Sequence, residues 1–270
     1  MSEPGRAPAE AGRGTISIWM ALPAYNEERS LPQLLERFVT LAPVLAERGA
    51  KLRVLVVDDG STDGTIAAAE RFKGRLDLEV IPHGVNRNLG AGLRTGLTGA
   101  LQRCAPDDLI ATMDADNTHD PALLPRMWET LEREHADIVI ASRYVAGGDE
   151  VGLTALRKVL SRGASFLLSV VARVKGARDY TCGYRLYRAS MLKRAFAAWG
   201  DRMIEEVGFV CMAELLVKLG RGGAKVTEAP LVLRYDLKEG ASKMKIMKTI
   251  SRYFVMARRV RSNPIPRIAG

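Results

Sequence analysis

Cysteine is scarce in this chain: Cys104, Cys182 and Cys211 are the three in 270 residues. An odd number without metal-ligand spacing argues against a disulfide framework and fits a reducing compartment. Long apolar runs are also missing. No stretch reaches the ~18 residues needed to span a bilayer, and the longest candidate, Phe166 to Val174, is interrupted by Arg173. Residues 1–14 contain no apolar core of the signal-peptide kind; rich in Pro, Gly, Ala and charge, they are expected to be a disordered lead-in. Aromatic residues make up 6% and are not interleaved with a basic stripe, which sets aside a nucleic-acid binder. The early loop "PAYNEERS" holds no lysine, against the glycine- and lysine-rich loop expected of a nucleotidyltransferase.

What is present is an ordinary globular composition, 47% hydrophobic and 26% charged, with enough length for a sizeable core. Lysine and arginine exceed aspartate and glutamate by 40 to 31, a net charge of +9. That excess favours an anionic partner, such as a nucleotide, a phosphorylated substrate or a membrane surface.

Short apolar runs alternate with helical periodicity from residue 15 to 145. Ile16 to Leu22, "LRVLVVDDG", "LEVIPHG", "DLIATMDAD" and "ADIVIASRY" read as strands. Between them lie helical patterns, the first with Ser30 as a candidate cap and Pro32 in its first turn. This order predicts an α/β fold with a parallel sheet and ligands at the carboxyl ends of its strands. Helices are also expected over 153–175, 203–219 and 243–261, and strand-like pairing over "RDYTCGYRLYR" and "AKVTEAPLVLRY". The expected organisation is one domain over 15–242, followed by a basic amphipathic helix and tail over 243–270.

The strand ends are crowded with acid and amide groups: Asn26 and Glu27, then Asp58 and Asp59, then Asp114 and Asp116; the fifth ends on Arg143. "DDGSTDGT" alone is equally readable as a capping turn. In "DAD", alternate carboxylates of an extended chain point to one side, a suitable site for a hard cation such as Mg²⁺ or Mn²⁺. Asp120, before Pro121, reads as the cap of the next helix.

"PAYNEE", "VVDDGSTDGT", "NLGAGLRTGL", "MDADNTHDP" and "ASRY", in this order, resemble the family-2 glycosyltransferases with a GT-A (Rossmann-like) fold. "RKVLSRGAS", "DYTCGYRLYR" and "RYDLKEGASKMK" are similar to the branch that acts on polyprenol (dolichol) phosphates. The resemblance implies a mostly parallel sheet flanked by helices, with an elaborated C-terminal part. It implies that Pro23, Tyr25, Asn26, Glu27 and Asp58 hold the nucleotide, and that Asp114 and Asp116 carry Mg²⁺ or Mn²⁺ on the donor diphosphate. The branch often has a glutamine where Thr118 stands, so Asn117, Thr118 or water is left to complete the cation site. Arg143, Arg157, Ser161 and Arg234 match positions for acceptor and donor phosphates, where guanidinium groups offset the repulsion of like charges. Asp179, Gly183 and Arg185 match an element that shapes the sugar pocket. Glu205, with Glu206 and Glu214 on one expected helix, serves either the sugar or a salt-bridged face.

The implied reaction is inverting transfer of a hexose from GDP-mannose or a UDP-sugar to a polyprenyl phosphate. Asp116 and Arg143 are the implied catalytic residues, and no general base is needed, since a phosphate acceptor is already ionised. A soluble sugar or natural-product acceptor is the alternative, and nucleotidyl transfer a remote one. "GASFLLSVVARV" and the C-terminal helix, which holds no acid since none occurs after Glu239, suit an anionic membrane surface. The expected location is cytoplasmic, peripheral at the inner face of the membrane, alone or with a membrane partner protein.

Overall fold

A computed structural model describes residues 15–238, 246–262 and 266–268. The expected disordered lead, 1–14, lies outside the described residues, as do 239–245, 263–265 and 269–270.

The elements run β1 (Ile16–Ala24), α1 (Ser30–Glu47), β2 (Ala50–Asp58), α2 (Thr65–Glu70), β3 (Asp77–Pro82), α3 (Asn88–Arg103) and β4 (Leu109–Thr112). Then follow α4 (Leu124–Arg133), β5 (Ile138–Ser142), β6 (Asp149–Val151), α5 (Ala155–Ala172), β7 (Arg185–Arg188) and α6 (Ala189–Trp199). The chain continues through α7 (Val210–Arg221), β8 (Val226–Pro230), β9 (Val232–Arg234) and α8 (Ile246–Ser262).

Seven strands form one sheet in the order β3-β2-β1-β4-β7-β5-β8, and β6 pairs with β9 in a small second sheet. The path goes one way from β1 through β2 to β3 and then returns to β4, on the far side of β1. This reversal makes the gap beyond β1 and β4 the topological switch point, where a crevice opens at the carboxyl ends.

Local sequence explains the packing. α1 buries Leu31, Leu34, Leu35, Phe38, Leu41 and Leu45, a helical stripe in which each fully buried side chain contributes roughly 1.5–3 kcal/mol. Ser30 is already inside α1 and makes no side-chain cap, so the expected capping role is not met. α3 lies against β1 and β2. At Gly96 a Cβ would come within 2.9 Å of the Ala21 Cβ, so glycine is what permits the close approach.

The sheet departs from the expected pattern at β7, which runs antiparallel to both β4 and β5, with Thr112 opposite Arg185. An antiparallel strand begins where its parallel neighbours end. The segment 178–184 is thereby laid across the carboxyl end of β4. Only Arg185–Arg188 of "RDYTCGYRLYR" is strand, Leu231 divides the last expected strand into β8 and β9, and α6 carries no sequence expectation. α7 starts at Val210, so Glu205 and Glu206 precede the helix instead of sharing it with Glu214.

Candidate functional site

The loop after β1 and the loop after β2 are joined by side-chain hydrogen bonds. The Asn26 backbone N–H donates to Ser61 Oγ at 2.9 Å, and Asn26 Oδ1 accepts from the Thr62 backbone N–H at 2.8 Å. The Glu27 N–H donates to Thr65 Oγ1 at 2.9 Å, and the Asp59 N–H to the Ala24 carbonyl at 2.8 Å. Asn26 adopts a left-handed backbone (φ 52°), which asparagine tolerates better than bulkier residues. Asp58 is buried; one carboxylate oxygen accepts from the Ser61 N–H and the other has no partner among the described residues. Asp59 is fixed by His83, at 2.8 Å, and by the Arg87 N–H.

These loops form one wall of a cleft of about 600 Å³ at the switch point, a size suited to a small-molecule ligand. Of the expected site residues, Pro23, Tyr25, Glu27, Asp114, Asp116, Arg143, Arg157, Ser161 and Gly183 line it. Asn26 and Asp58 support its wall from behind.

At the end of β4, Asp114, Asp116 and His119 each bring a ligand atom within 4.8 Å of the others. The two acids are held differently. Burial raises Asp114, and the neighbouring Asp116 charge adds to that. Burial opposes ionisation of Asp116 too, but the Lys238 ammonium bonded to its Oδ2 outweighs it and brings the carboxyl below its ordinary value. Thr118 donates its hydroxyl to Asp116 Oδ1 at 2.7 Å. His119 is buried, its Nε2 faces Cys182 Sγ at 3.6 Å, and its Nδ1 has no partner among the described residues.

Asn117 is a correction. Its Oδ1 accepts from Arg37 at 3.1 Å and its Nδ2 donates to Gln33, so the side chain anchors the turn on α1 and is turned away from the carboxylates. Its left-handed backbone (φ 61°) produces that turn and returns His119 toward the acids. Two carboxylates and an imidazole with an unpartnered buried nitrogen fit a divalent cation of the Mg²⁺, Mn²⁺ or Zn²⁺ range, the nitrogen favouring Mn²⁺ over Mg²⁺. Asp120 accepts from the Ala122 N–H and caps the following turn, as its place before Pro121 suggested.

The antiparallel β7 supplies the opposite wall. At Gly183 a Cβ would lie 2.8 Å from Asp114 Oδ1, so any side chain here displaces the carboxylate. Asp179 is fully buried and grips Arg143 through two bonds of 2.7 Å. Arg143 also donates to Glu150 at 3.0 Å, to Ser161 at 3.2 Å and to Thr181 at 2.6 Å. Burial works against the Asp179 charge, but the Arg143 guanidinium more than offsets it and holds the carboxyl below its usual range.

Arg185 and Arg234 are corrected by where their side chains go, and Glu205 meets the salt-bridged one of its two expected roles. Arg185 is fully buried and donates to the carbonyls of Met212 and Tyr180, so it braces β7 against α7 and does not line the cleft. Glu205 pairs with Lys218 at 2.8 Å. Arg234 forks onto Asp236 at 2.7 Å on the surface. Among the described residues, the positive groups that do line the cleft besides Arg143 and Arg157 are Lys238 and Arg252. His119 stands inside the same quoted "MDADNTHDP" and was readable three residues beyond Asp116. Arg252 and Tyr253 reach the site only because α8 docks on α5 and α7, which periodicity does not reveal.

Residues 20–196 match the family described as glycosyl transferase family 2. The chain is 33% identical over 230 residues to the undecaprenyl-phosphate mannosyltransferase of Micrococcus luteus, covering 85% of this chain and 88% of that protein. It is 32% identical to the polyprenol monophosphomannose synthase of Mycolicibacterium smegmatis, covering 90% and 89%. Identity is 34% to the dodecaprenyl-phosphate galacturonate synthase of Rhizobium johnstonii, over 67% of this chain and only half the length of that relative. Among solved structures, the glucosyl-3-phosphoglycerate synthase of Mycobacterium tuberculosis, crystallised with Mn²⁺, UDP and phosphoglyceric acid, superposes with a TM-score of 0.68. It covers 93% of this chain and 80% of that one at 17% identity, a likeness of fold.

Proposed function

The chain belongs to glycosyl transferase family 2, and from that premise we propose that it moves a hexose from a nucleotide-sugar to a polyprenyl phosphate, with inversion. One observation carries the reading: a single cleft holds Asp114, Asp116 and His119 together with Arg143, Arg157 and Ser161. The first three suit the donor diphosphate with its Mg²⁺ or Mn²⁺, and the last three a second phosphate. The names of the similar proteins, two mannosyl- and one galacturonosyl-transferring, make mannose the first sugar to test.

A divalent cation held by Asp114, Asp116 and His119 supplies charge neutralisation for the donor diphosphate. The rest belongs to the chain's own groups. Pro23, Tyr25 and Glu27 face the nucleotide side of the cleft, over the buried Asp58 and the anchored Asn26. An acceptor phosphate oxygen attacks the anomeric carbon; its C–O bond forms as the bond to the nucleoside diphosphate breaks and that electron pair leaves with the diphosphate. The acceptor oxygen carries no proton at neutral pH, so no side chain need remove one. Arg157, whose guanidinium lies 5.7 Å from the Tyr235 ring centroid, and Ser161 orient the attacking phosphate. All the guanidinium nitrogens of Arg143 are engaged, so it acts as a fixed charge and as a donor that orients Ser161. Lys238 keeps Asp116 ionised and adds positive charge where two anions meet.

The acceptor's chain requires access from a bilayer. No helix of the described residues is long and apolar enough to cross one. A peripheral approach agrees with the exposed Val159, Phe166 and Val170 of α5. The test is a donor screen with Mg²⁺ or Mn²⁺, with and without a short-chain polyprenyl phosphate. Lipid-phosphate-dependent turnover is expected, lost in Asp116→Asn with the circular dichroism spectrum unchanged. Transfer confined to a water-soluble acceptor would overturn the lipid-phosphate reading.

A further inference from the structure

Behind Arg143 lies a second cavity of about 650 Å³, separate from the chemistry described above. Its walls combine Tyr144, Arg162, Ser165, Phe166, Ser169 and Arg178, with Arg143 shared between the two cavities. No carboxylate lines it; the fully buried Glu150 accepts from Arg143 and Tyr144 behind the wall, and Arg162 contributes to the positive field around it.

Three observations point to an anion. Arg162 and Arg178 have exposed side chains, and neither makes a side-chain hydrogen bond or ion pair among the described residues. Unpaired guanidinium groups are the side chains best suited to phosphate oxygens. Ser165 is 1% exposed, and its hydroxyl has no hydrogen-bond partner among the described residues. A buried hydroxyl left unpaired is costly, so a ligand that accepts its proton would be favoured at this position.

The rim chooses among anions. Phe166, 72% exposed, belongs to the cavity wall and also to an apolar ridge on α5 with Val159 and Val170. At 100° per residue these three fall on one side of the helix, next to the side that carries Arg162, Ser165 and Ser169. A free phosphate or nucleotide gains nothing from such a ridge. An amphiphile does, with its phosphate in the cavity and its hydrocarbon along the ridge.

We infer that this cavity is a headgroup site for an anionic bilayer phospholipid, which Arg162, Arg178 and Ser165 bind by its phosphate. It rests on the reading of a membrane-borne acceptor and gives that reading a specific contact. The pocket-facing side of α5, with Arg157, Leu160, Ser161 and Ala164, is left open to the acceptor while the adjacent side is fixed to the membrane surface.

Co-sedimentation with phosphatidylcholine vesicles, with and without phosphatidylglycerol, tests it on the full chain. Wild type is expected to bind only the vesicles containing phosphatidylglycerol. The double variant Arg162→Gln/Arg178→Gln should bind them about tenfold or more weakly, since each cation near an anionic surface contributes. Its turnover on a short-chain polyprenyl phosphate free in solution should equal that of wild type, which also certifies the fold. Undiminished vesicle binding by the double variant would overturn the site. So would displacement of wild type from vesicles by inorganic phosphate at the ionic strength of a chloride control, which would mark a free-anion site. Failure of wild type to use the dissolved acceptor would count against the proposed reaction and leave the vesicle result to judge this site.

Discussion

At the scale of single residues, the acid crowded at the end of β4 is divided by its surroundings into distinct tasks. Asp114 and Asp116 face the cleft with His119, while Asp120 caps the next turn. His119 is the residue whose importance the geometry adds. Replacing it with alanine should weaken Mn²⁺ binding on the order of a hundredfold, at least the loss typical of disturbing a metal site's supporting groups. Electron paramagnetic resonance titration of free Mn²⁺ measures this without turnover; an unchanged affinity would remove His119 from the site. Much of the site was legible because "DAD" and "DDG" place carboxylates at strand ends, where any parallel sheet collects its ligands. The direction of a side chain was not. Asn117, Arg185 and Arg234 have the right chemistry at the right sequence positions, yet Arg37, the carbonyls of Met212 and Tyr180, and Asp236 hold them elsewhere.

At the scale of elements, β7 decides the site more than any other strand. The alternating pattern through residue 145 revealed the parallel strands, since buried runs of valine and isoleucine can occupy little else. Nothing local distinguishes an antiparallel strand returning between β4 and β5, because direction is set by the crossover and not by composition. Its consequence is the Asp179–Arg143 knot. The folded Asp179 lies below its ordinary value, so its contribution to stability is complete above about pH 4, the unfolded value, and is lost as pH falls through the folded one. Urea unfolding should find Asp179→Asn less stable than wild type by a constant margin from neutral pH down to about pH 4, with the margin closing below that. A margin independent of pH would refute this origin. A second knot docks α8: Arg259 reaches Glu206 and Glu214, Arg252 reaches Glu206, and Lys218 lies at 2.9 Å from Glu214. Glu214→Ala leaves the buried Lys218 with the partly exposed Glu205 as its remaining carboxylate, beside the Arg202 carbonyl, and should cost about 3 kcal/mol in the same measurement. A loss within experimental error would mean that water enters to solvate the ammonium.

For the whole molecule, the net charge of +9 suits the proposed reaction, in which donor, acceptor and membrane surface would all be negative. These encounters differ in their sensitivity to salt. Inside the cleft, Arg143 is nearly buried against Asp179, and mobile ions screen such short, enclosed contacts weakly. Attraction to a vesicle acts from exposed groups such as Arg162, Arg173 and Arg178 across solvent, where the screening length is about 10 Å at 0.1 M salt. Raising ionic strength from low values to about that level should therefore reduce turnover on acceptor embedded in anionic vesicles by roughly tenfold, with the loss in the apparent KM for vesicles. Turnover on a dissolved short-chain acceptor should change far less, because its phosphate is recognised at hydrogen-bond distance. Parallel salt titrations of the two assays distinguish the cases. Equal losses in both would place the salt-sensitive step in the cleft and assign the excess charge to substrate binding instead of the membrane surface.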